Sequence, residues 1–350
     1  METVLHRLLQ LFERRSIVKR ILLTLLVVSI FAAISTPAYA SLSVFRTFTG
    51  SVGYSTDGFG STTQSGTISA SVPVGATVLN AYLYTSTFLG VAGIGGTLNG
   101  TAVTYATLLG ANNTGLQAAR ADVTNIVIAA VGGGSAVPIN FTVTETQFTQ
   151  DGEALVVVYS LPSLPTSTVA ILDGFSLTTG DTATLSFASA LHPGAPGFSA
   201  ELAIGDGFSC GLAGGCLSNQ SSTLTVNGTQ ITTNAGSNDD SADGVSAANG
   251  NLITVGGFDD PFSPLLPSYA ADHEKYNLIP QIVDGSTSIT VSTLNPSNDD
   301  NIFLEVFKVS GTATVSTGVP EPNSMLLLGA GLIGLAGLGR RKFRGLIQKN

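Results

Sequence analysis

The sequence predicts an all-β protein, built from two tandem antiparallel β-sandwich modules of jelly-roll-like type, with an N-terminal signal helix and a short C-terminal transmembrane helix. Three observations carry that reading. Short apolar stretches recur between turn residues, many with the period of two that turns one strand face to a core. No amphipathic helix longer than about three turns stands out. The order of elements in the first half of the body comes round again in the second.

The leader comes first in the chain. Arg14, Arg15, Lys19 and Arg20 precede the apolar run Ile21 to Ile34, and Ala38 and Ala40 then form the small-x-small pattern of a signal-peptidase site. Cleavage is expected between Ala40 and Ser41, so residues 1–40 are read as a signal peptide. The apolar run is about 14 residues where a membrane-spanning helix needs roughly 20, which favours a cleaved leader over an anchor.

The body divides into module 1, residues 41–165, and module 2, residues 166–317. Strand alternation is clear in "GTISASVPV" (Ile68, Ala70, Val72, Val74), in "INFTVTE" (Ile139, Phe141, Val143) and in "TSITVST" (Ile289, Val291). The continuous run "ALVVVYSL", Ala154 to Leu161, reads as a central strand covered on both faces. An internal echo supports duplication: "LNGTAVT" from Leu98 resembles "VNGTQIT" from Val226, and each half closes on paired strands, "NFTVTETQFTQDGEALVVVYSL" and "SITVSTLNPSNDDNIFLEVFKVSG". The join falls in the Pro-marked stretch 160–170.

Charge narrows the choice of partners. Between residues 41 and 339 only Arg46, Arg120, Lys275 and Lys308 face 21 Asp and Glu, a net charge of −17. Such a surface repels nucleic acid and anionic membrane faces. It leaves anionic polysaccharide reachable only through bridging divalent cations. Cys210 and Cys216, in "CGLAGGC", are expected to form a disulfide in an oxidising compartment; the absence of a nearby His and of C-x-x-C spacing argues against a metal or redox pair.

No cofactor is required by any motif, and Ca²⁺ is the one ion left open. Asp239, Asp240 and Asp243, in "NDDSADG", place hard oxygen ligands near a turn Gly, although Gly250 stands where an EF-hand needs its bidentate Glu. Asp259-Asp260 and Asp299-Asp300 are further acid pairs that could join a cation site if the fold brought them together. Only His192 and His273 remain after the leader, and both sit in loop sequence, which speaks against a His-rich metal centre and a Ser-His-Asp triad. The chain is therefore not expected to be an enzyme.

The tail, residues 318–345, has three parts. Pro320 and Pro322 keep the chain extended around Glu321. The 16 uncharged residues from Ser324 to Gly339 would span about 24 Å as a helix, short of a hydrocarbon core of about 30 Å. Gly329, Gly331, Gly334 and Gly337 offer a small-residue face to another helix, and Arg340, Arg341, Lys342 and Arg344 hold the end on the cytoplasmic side. The membrane contact is thus transient and confined to this segment.

This order of Pro-Glu-Pro, apolar Gly- and Leu-rich helix and terminal basic cluster resembles the PEP-CTERM protein-sorting signal of Gram-negative bacteria that make exopolysaccharide. The resemblance implies an exosortase, an integral membrane transpeptidase-like enzyme, as sorting partner. It also implies that Pro320, Glu321 and Pro322 are the recognition and processing site, and that exopolysaccharide or a biofilm matrix surrounds the product. Similar tails are linked with ice-binding proteins, a link that concerns the tail; the scattered Thr of this body have no fixed period. The body, through "GEALVVVYSLPSLP", "LITVGGFDD", "ADHEKYNL" and "LNPSNDDNIFLEVF", resembles exported proteins with the same tail, which implies a sandwich module and no catalytic residue.

The expectation is a noncatalytic envelope or matrix protein with an inner-membrane-associated precursor and a mature form at the cell surface or outside the cell. The alternative is a carbohydrate-binding or polysaccharide-hydrolysing module, with the strand tyrosines Tyr82 and Tyr84 as candidate sugar contacts.

Overall fold

The computed structural model describes residues 41–318 except 61–62, 89, 91, 112–114, 177, 210–221, 237–251, 268–270 and 296–300. The first half of the chain forms β1 (Ser43–Gly50), β2 (Val52–Gly60), β3 (Ser65–Ala70), β4 (Thr77–Thr87), β5 (Gly96–Leu98), β6 (Thr101–Val103), β7 (Thr107–Ala111), β8 (Gln117–Asp122), the helix α1 (Thr124–Val131), β9 (Ile139–Glu145) and β10 (Gln150–Ser160). The second half forms β11 (Ser167–Asp173), β12 (Asp181–Phe187), β13 (Ala200–Ser209), β14 (Ser222–Val226), β15 (Thr229–Ala235), β16 (Leu252–Val255), β17 (Lys275–Asn277), a 3-10 turn (Ile279–Gln281), β18 (Ser288–Leu294), β19 (Asn301–Ser310) and β20 (Ala313–Thr317). The chain is thus mostly β. Among the described residues no helix is long and apolar enough to cross a membrane; the leader and the apolar tail segment lie outside them.

Two sheets come from the first half, in the orders β2-β10-β4-β8-β7 and β3-β9-β5-β6. The second half supplies β11-β19-β13-β16, with β1 added beside β11 and β17 beside β13, and β15-β14-β18-β12-β20. Taken across the sheets, β2, β10, β4, β8 match β11, β19, β13, β16, while β3, β9, β5, β6 match β12, β18, β14, β15. Strand order therefore repeats along with the sequence echo. The first strand breaks the symmetry, since β1 pairs antiparallel with β11 of the later half.

The physical reason for the echo lies in two hairpin turns. Asn99-Gly100 joins β5 to β6 with φ of 48° and 72°, and Asn227-Gly228 joins β14 to β15 with φ of 49° and 82°. Positive φ at both central residues is the two-residue turn whose twist matches that of the flanking strands, and Asn-Gly tolerates it best. Each Asn also ties the hairpin to the neighbouring strand. Thr142 N–H donates to Asn99 Oδ1 and Thr290 N–H to Asn227 Oδ1, both at 2.9 Å.

Three apolar layers separate the four sheets. One core lies between the first-half sheets and holds Ile68, Leu83, Leu98, Phe141, Leu155 and Val157. A second, with Leu172, Leu185, Leu202, Leu224, Ile289 and Phe307, lies between the second-half sheets. The third joins the backs of the two inner sheets through Tyr84, Val156, Val158, Ile171, Val255, Phe303 and Val306. The run Ala154 to Val158 is wholly buried, as its unbroken apolar character requires: Leu155 and Val157 face one core, and Ala154, Val156 and Val158 face the other. Each large aliphatic side chain taken fully from water contributes about 1.5–3 kcal/mol, so the third layer binds the two halves together firmly.

Candidate functional site

Most residues singled out from the sequence lie outside the described residues: Ala38 and Ala40, Cys210 and Cys216, the loop with Asp239, Asp240 and Asp243, the pair Asp299-Asp300, and the tail from Pro320 onward. Ser41 is described. Its carbonyl rests on Gly174, where an added Cβ would come within 2.3 Å of the oxygen, so the chain just past the expected cleavage point is already seated on the fold.

The fold collects carboxylates that are far apart in sequence. Around Gly257, an added Cβ would meet Asp259 Oδ1 at 2.8 Å, Asp260 Oδ2 at 3.1 Å and Asp57 Oδ1 at 3.6 Å. The pair Asp259-Asp260 thus converges with Asp57 of β2, which the sequence reading did not include. Burial pushes the Asp57 carboxyl up to about 7; the Ser69 N–H opposes the rise, and Asp259 and Asp260 add to it.

A second group closes one end of the first core. Glu145 ends β9 and Glu153 belongs to β10, where it is in phase with Leu155 and Val157. Tyr105 Oη donates to Glu153 Oε1 at 3.3 Å, and Gln150 Nε2 donates to the same oxygen at 3.5 Å. Both Glu145 oxygens, Glu153 Oε2 and both Asp151 oxygens are buried with no N–H or O–H donor. Burial drives all three carboxyls well above the ordinary range, and for Glu145 the neighbouring Glu153 and Asp151 push further the same way.

The second core carries acids at the same level. Its inward cross-strand pairs Leu202 with Phe307, Ile204 with Glu305 and Asp206 with Ile302 correspond to Ala81 with Val157, Leu83 with Leu155 and Thr85 with Glu153. Asp206 is fully buried, neither of its oxygens has a hydrogen-bond donor, and Asp272 raises its carboxyl beyond the effect of burial. Asp272 is well satisfied: it accepts from Thr232 Oγ1 at 2.5 Å, Tyr276 Oη at 2.6 Å, Ser263 Oγ at 3.1 Å and Glu274 N–H at 3.2 Å. Glu305, also buried, is raised to about 8, first by burial and then by Asp181.

Between the inner sheets lies a paired cationic group. Arg120 of β8 forms an ion pair with Asp173 of β11, Tyr84 Oη donates to the same carboxylate at 3.1 Å, and the Arg120 guanidinium stands 3.3 Å from the centroid of Phe45. Arg46 donates to Tyr82 Oη, whose ring meets Phe45 edge-on at 4.9 Å. Tyr82 and Tyr84 are therefore packing residues, 2% and 0% exposed, and unable to stack on a sugar. Alternation alone could not show this, because it does not tell which sheet face another sheet will cover.

A cleft of about 200 Å³ is lined by Tyr54, Tyr159, Glu201, Lys275, Ser55 and Ser71, and an apolar one of about 190 Å³ by Ile231, Phe262, Leu265, Tyr276 and Pro280. Neither is lined by a pair of carboxylates. Among the described residues no group of three or more His, Cys, Asp or Glu side chains is placed to hold a metal ion. His192 Nδ1 and Asp284 Oδ1 are 3.0 Å apart on the surface. The string Gly207-Phe208-Ser209-Cys210-Gly211 has G-x-S-x-G spacing. A nucleophile elbow needs a sharp strand-to-helix turn, whereas Gly207 and Ser209 are ladder residues paired with Ile253 and Leu252.

Comparison with known proteins places the informative feature at the chain's end. Residues 318–342 match the family described as the PEP-CTERM protein-sorting motif. The chain carries a PEP-CTERM sorting signal. That signal marks an exported protein with a membrane-associated precursor, sorted and processed by an exosortase-type membrane enzyme. No curated protein matches the PEP-CTERM chain. Among solved structures, the major capsid protein P2 from bacteriophage PM2 is similar over 77% of this chain and 99% of its own, at 12% identity and a TM-score of 0.21.

Proposed function

We propose that this PEP-CTERM protein is a noncatalytic component of the cell envelope or extracellular matrix, surrounded by exopolysaccharide, whose body is two tandem jelly-roll-like modules arising from duplication. The observation that carries the reading is the sorting motif at residues 318–342. Support for the module assignment comes from the repeated strand order and the paired Asn-Gly hairpins. Support for a structural role comes from the placement of the acids. Among the described residues nine of them, Glu145, Asp151, Glu153, Asp173, Asp181, Asp206, Asp272, Glu274 and Glu305, are at most 8% exposed, and the two described clefts hold a single carboxylate between them. In this reading Pro320, Glu321 and Pro322 are cut or joined at the membrane, and β1, beginning at Ser43, is free to close the inner sheet once the leader is removed.

The test is terminal-peptide mass spectrometry on protein taken separately from membrane, outer-surface and medium fractions. A mature chain running from Ser41 to the neighbourhood of Pro322, in the surface or medium fraction, is the expected result. A chain that still ends at Asn350 in the membrane would make the tail a permanent anchor and overturn the sorting assignment.

A further inference from the structure

The cleft of about 200 Å³ lies where the two halves of the body meet. β2, β10 and the segment after β3 bring Tyr54, Tyr159 and Ser71 to it, and β13, β17 and the segment after β16 bring Glu201, Lys275 and Phe258. Tyr159 rests on Gly53, its cross-strand partner, where an added Cβ would come within 2.7 Å of the ring, so the missing side chain is what seats the tyrosine against β2. Tyr54, Ser71, Glu201, Phe258 and Lys275 are each partly exposed. Among the described residues Tyr54 Oη, Tyr159 Oη and Ser71 Oγ make no hydrogen bond. Glu201 is balanced by Lys308 at 3.2 Å, and Lys275 Nζ spends one of its three N–H groups on the carbonyl of Asp260 at 3.3 Å.

We propose that this cleft binds one neutral sugar ring. A sugar hydroxyl both donates and accepts, and the walls answer both ways: Glu201 accepts, Lys275 donates, and the hydroxyls of Tyr54, Tyr159 and Ser71 do either. The rings of Tyr54 and Phe258 supply apolar surface for the C–H groups of the sugar. Charge excludes the other polar ligands. An anion meets Glu201 and, around Gly257 in the wall, Asp259 and Asp260, in a body of net charge −17. A cation finds Glu201 already paired and meets Lys275 as well. After burial, the Glu201 charge raises the phenols of both Tyr54 and Tyr159, as expected where the three side chains converge. The volume lies below the roughly 300–1,000 Å³ of pockets for larger ligands, so the cleft takes a single ring. This inference goes beyond the matrix reading and rests on the body alone, so sugar binding and tail processing fail separately.

The experiment is a ligand-observed NMR titration of the intact chain, held in a detergent without sugar headgroups. Glucose, galactose and N-acetylglucosamine are the neutral probes and glucuronate the anionic one. At least one neutral sugar is expected to bind in the millimolar range, and glucuronate about tenfold more weakly or worse, because its charge opposes that of Glu201. Glu201→Gln keeps the side chain's shape and is expected to weaken binding about tenfold, the effect of losing a hydrogen bond to a charged group. Tyr54→Phe removes one oxygen and should weaken it about fivefold. Tyr82→Phe, between the inner sheets, should bind as the wild type does. Should Glu201→Gln fail to fold, Tyr54→Phe carries the comparison. The proposal is overturned by no binding of any neutral sugar, by wild-type affinity in a folded cleft variant, by glucuronate binding as tightly as the neutral sugars, or by an equal loss in Tyr82→Phe.

Discussion

Glu305 offers the sharpest test of how this fold handles buried charge. It lies inward on β19, in phase with Phe307 and Val309, and its antiparallel partners Leu172 and Ile204 are core residues. Burial raises its carboxyl from the usual 4.5 to about 8, so the folded chain keeps its proton through neutrality while the unfolded chain gives it up. A raised carboxyl contributes stability that is fully present below 4.5 and is lost as pH rises toward 8. Across that window each pH unit removes about 1.36 kcal/mol. Between pH 5.5 and 7 the wild type should therefore lose about 2 kcal/mol from this group alone. Glu305→Gln has nearly the same shape and no titration. Its stability relative to wild type should rise by about 2 kcal/mol over the same interval and approach parity in acid. The assay is chemical denaturation of both chains at several pH values, compared as a difference so that other titrating groups cancel. A difference that stays flat from pH 5 to 8 would mean that Glu305 ionises freely in the folded chain, and the burial argument would be wrong.

Two further substitutions probe the joints of the fold. Arg120→Met should destabilise the chain by about 3–5 kcal/mol, because it strands Asp173 between the inner sheets without its cation; thermal unfolding should show it, and a loss below about 1 kcal/mol would mean that the pair is solvated. Asn227→Ala should cost about 2 kcal/mol, summing the strain of φ near 49° for a residue with a Cβ and the lost bond from Thr290 N–H, whereas Asn227→Gly should cost clearly less.

Much of the architecture was legible in the sequence. Period-two alternation located β3, β9 and β18, the unbroken apolar run announced a strand covered twice, and the two Asn-Gly strings, read as an internal echo, turned out to be equivalent hairpins. The carboxylate clusters were less visible. Their signal was present as acids in the inward phase of otherwise apolar strands, Glu153 ahead of Leu155 and Val157, and Glu305 ahead of Phe307 and Val309, but attention to acid pairs in loops led elsewhere. Tyr82 and Tyr84 show the converse: as strand tyrosines they looked available to a ligand until a second sheet covered their face.

The sequence by itself determined what is local: the sorting tail with its Pro-Glu-Pro and the alternating faces of the strands, because each depends on residues a few positions apart. Only the tertiary structure decided that β1 crosses to β11, that the two inner sheets pack back to back through Tyr84, Val156 and Phe303, and that Glu145 is buried where the charges of Glu153 and Asp151 oppose its own. Those contacts join residues remote in the chain, and their energies come from shared burial and shared charge, which no single strand's pattern contains.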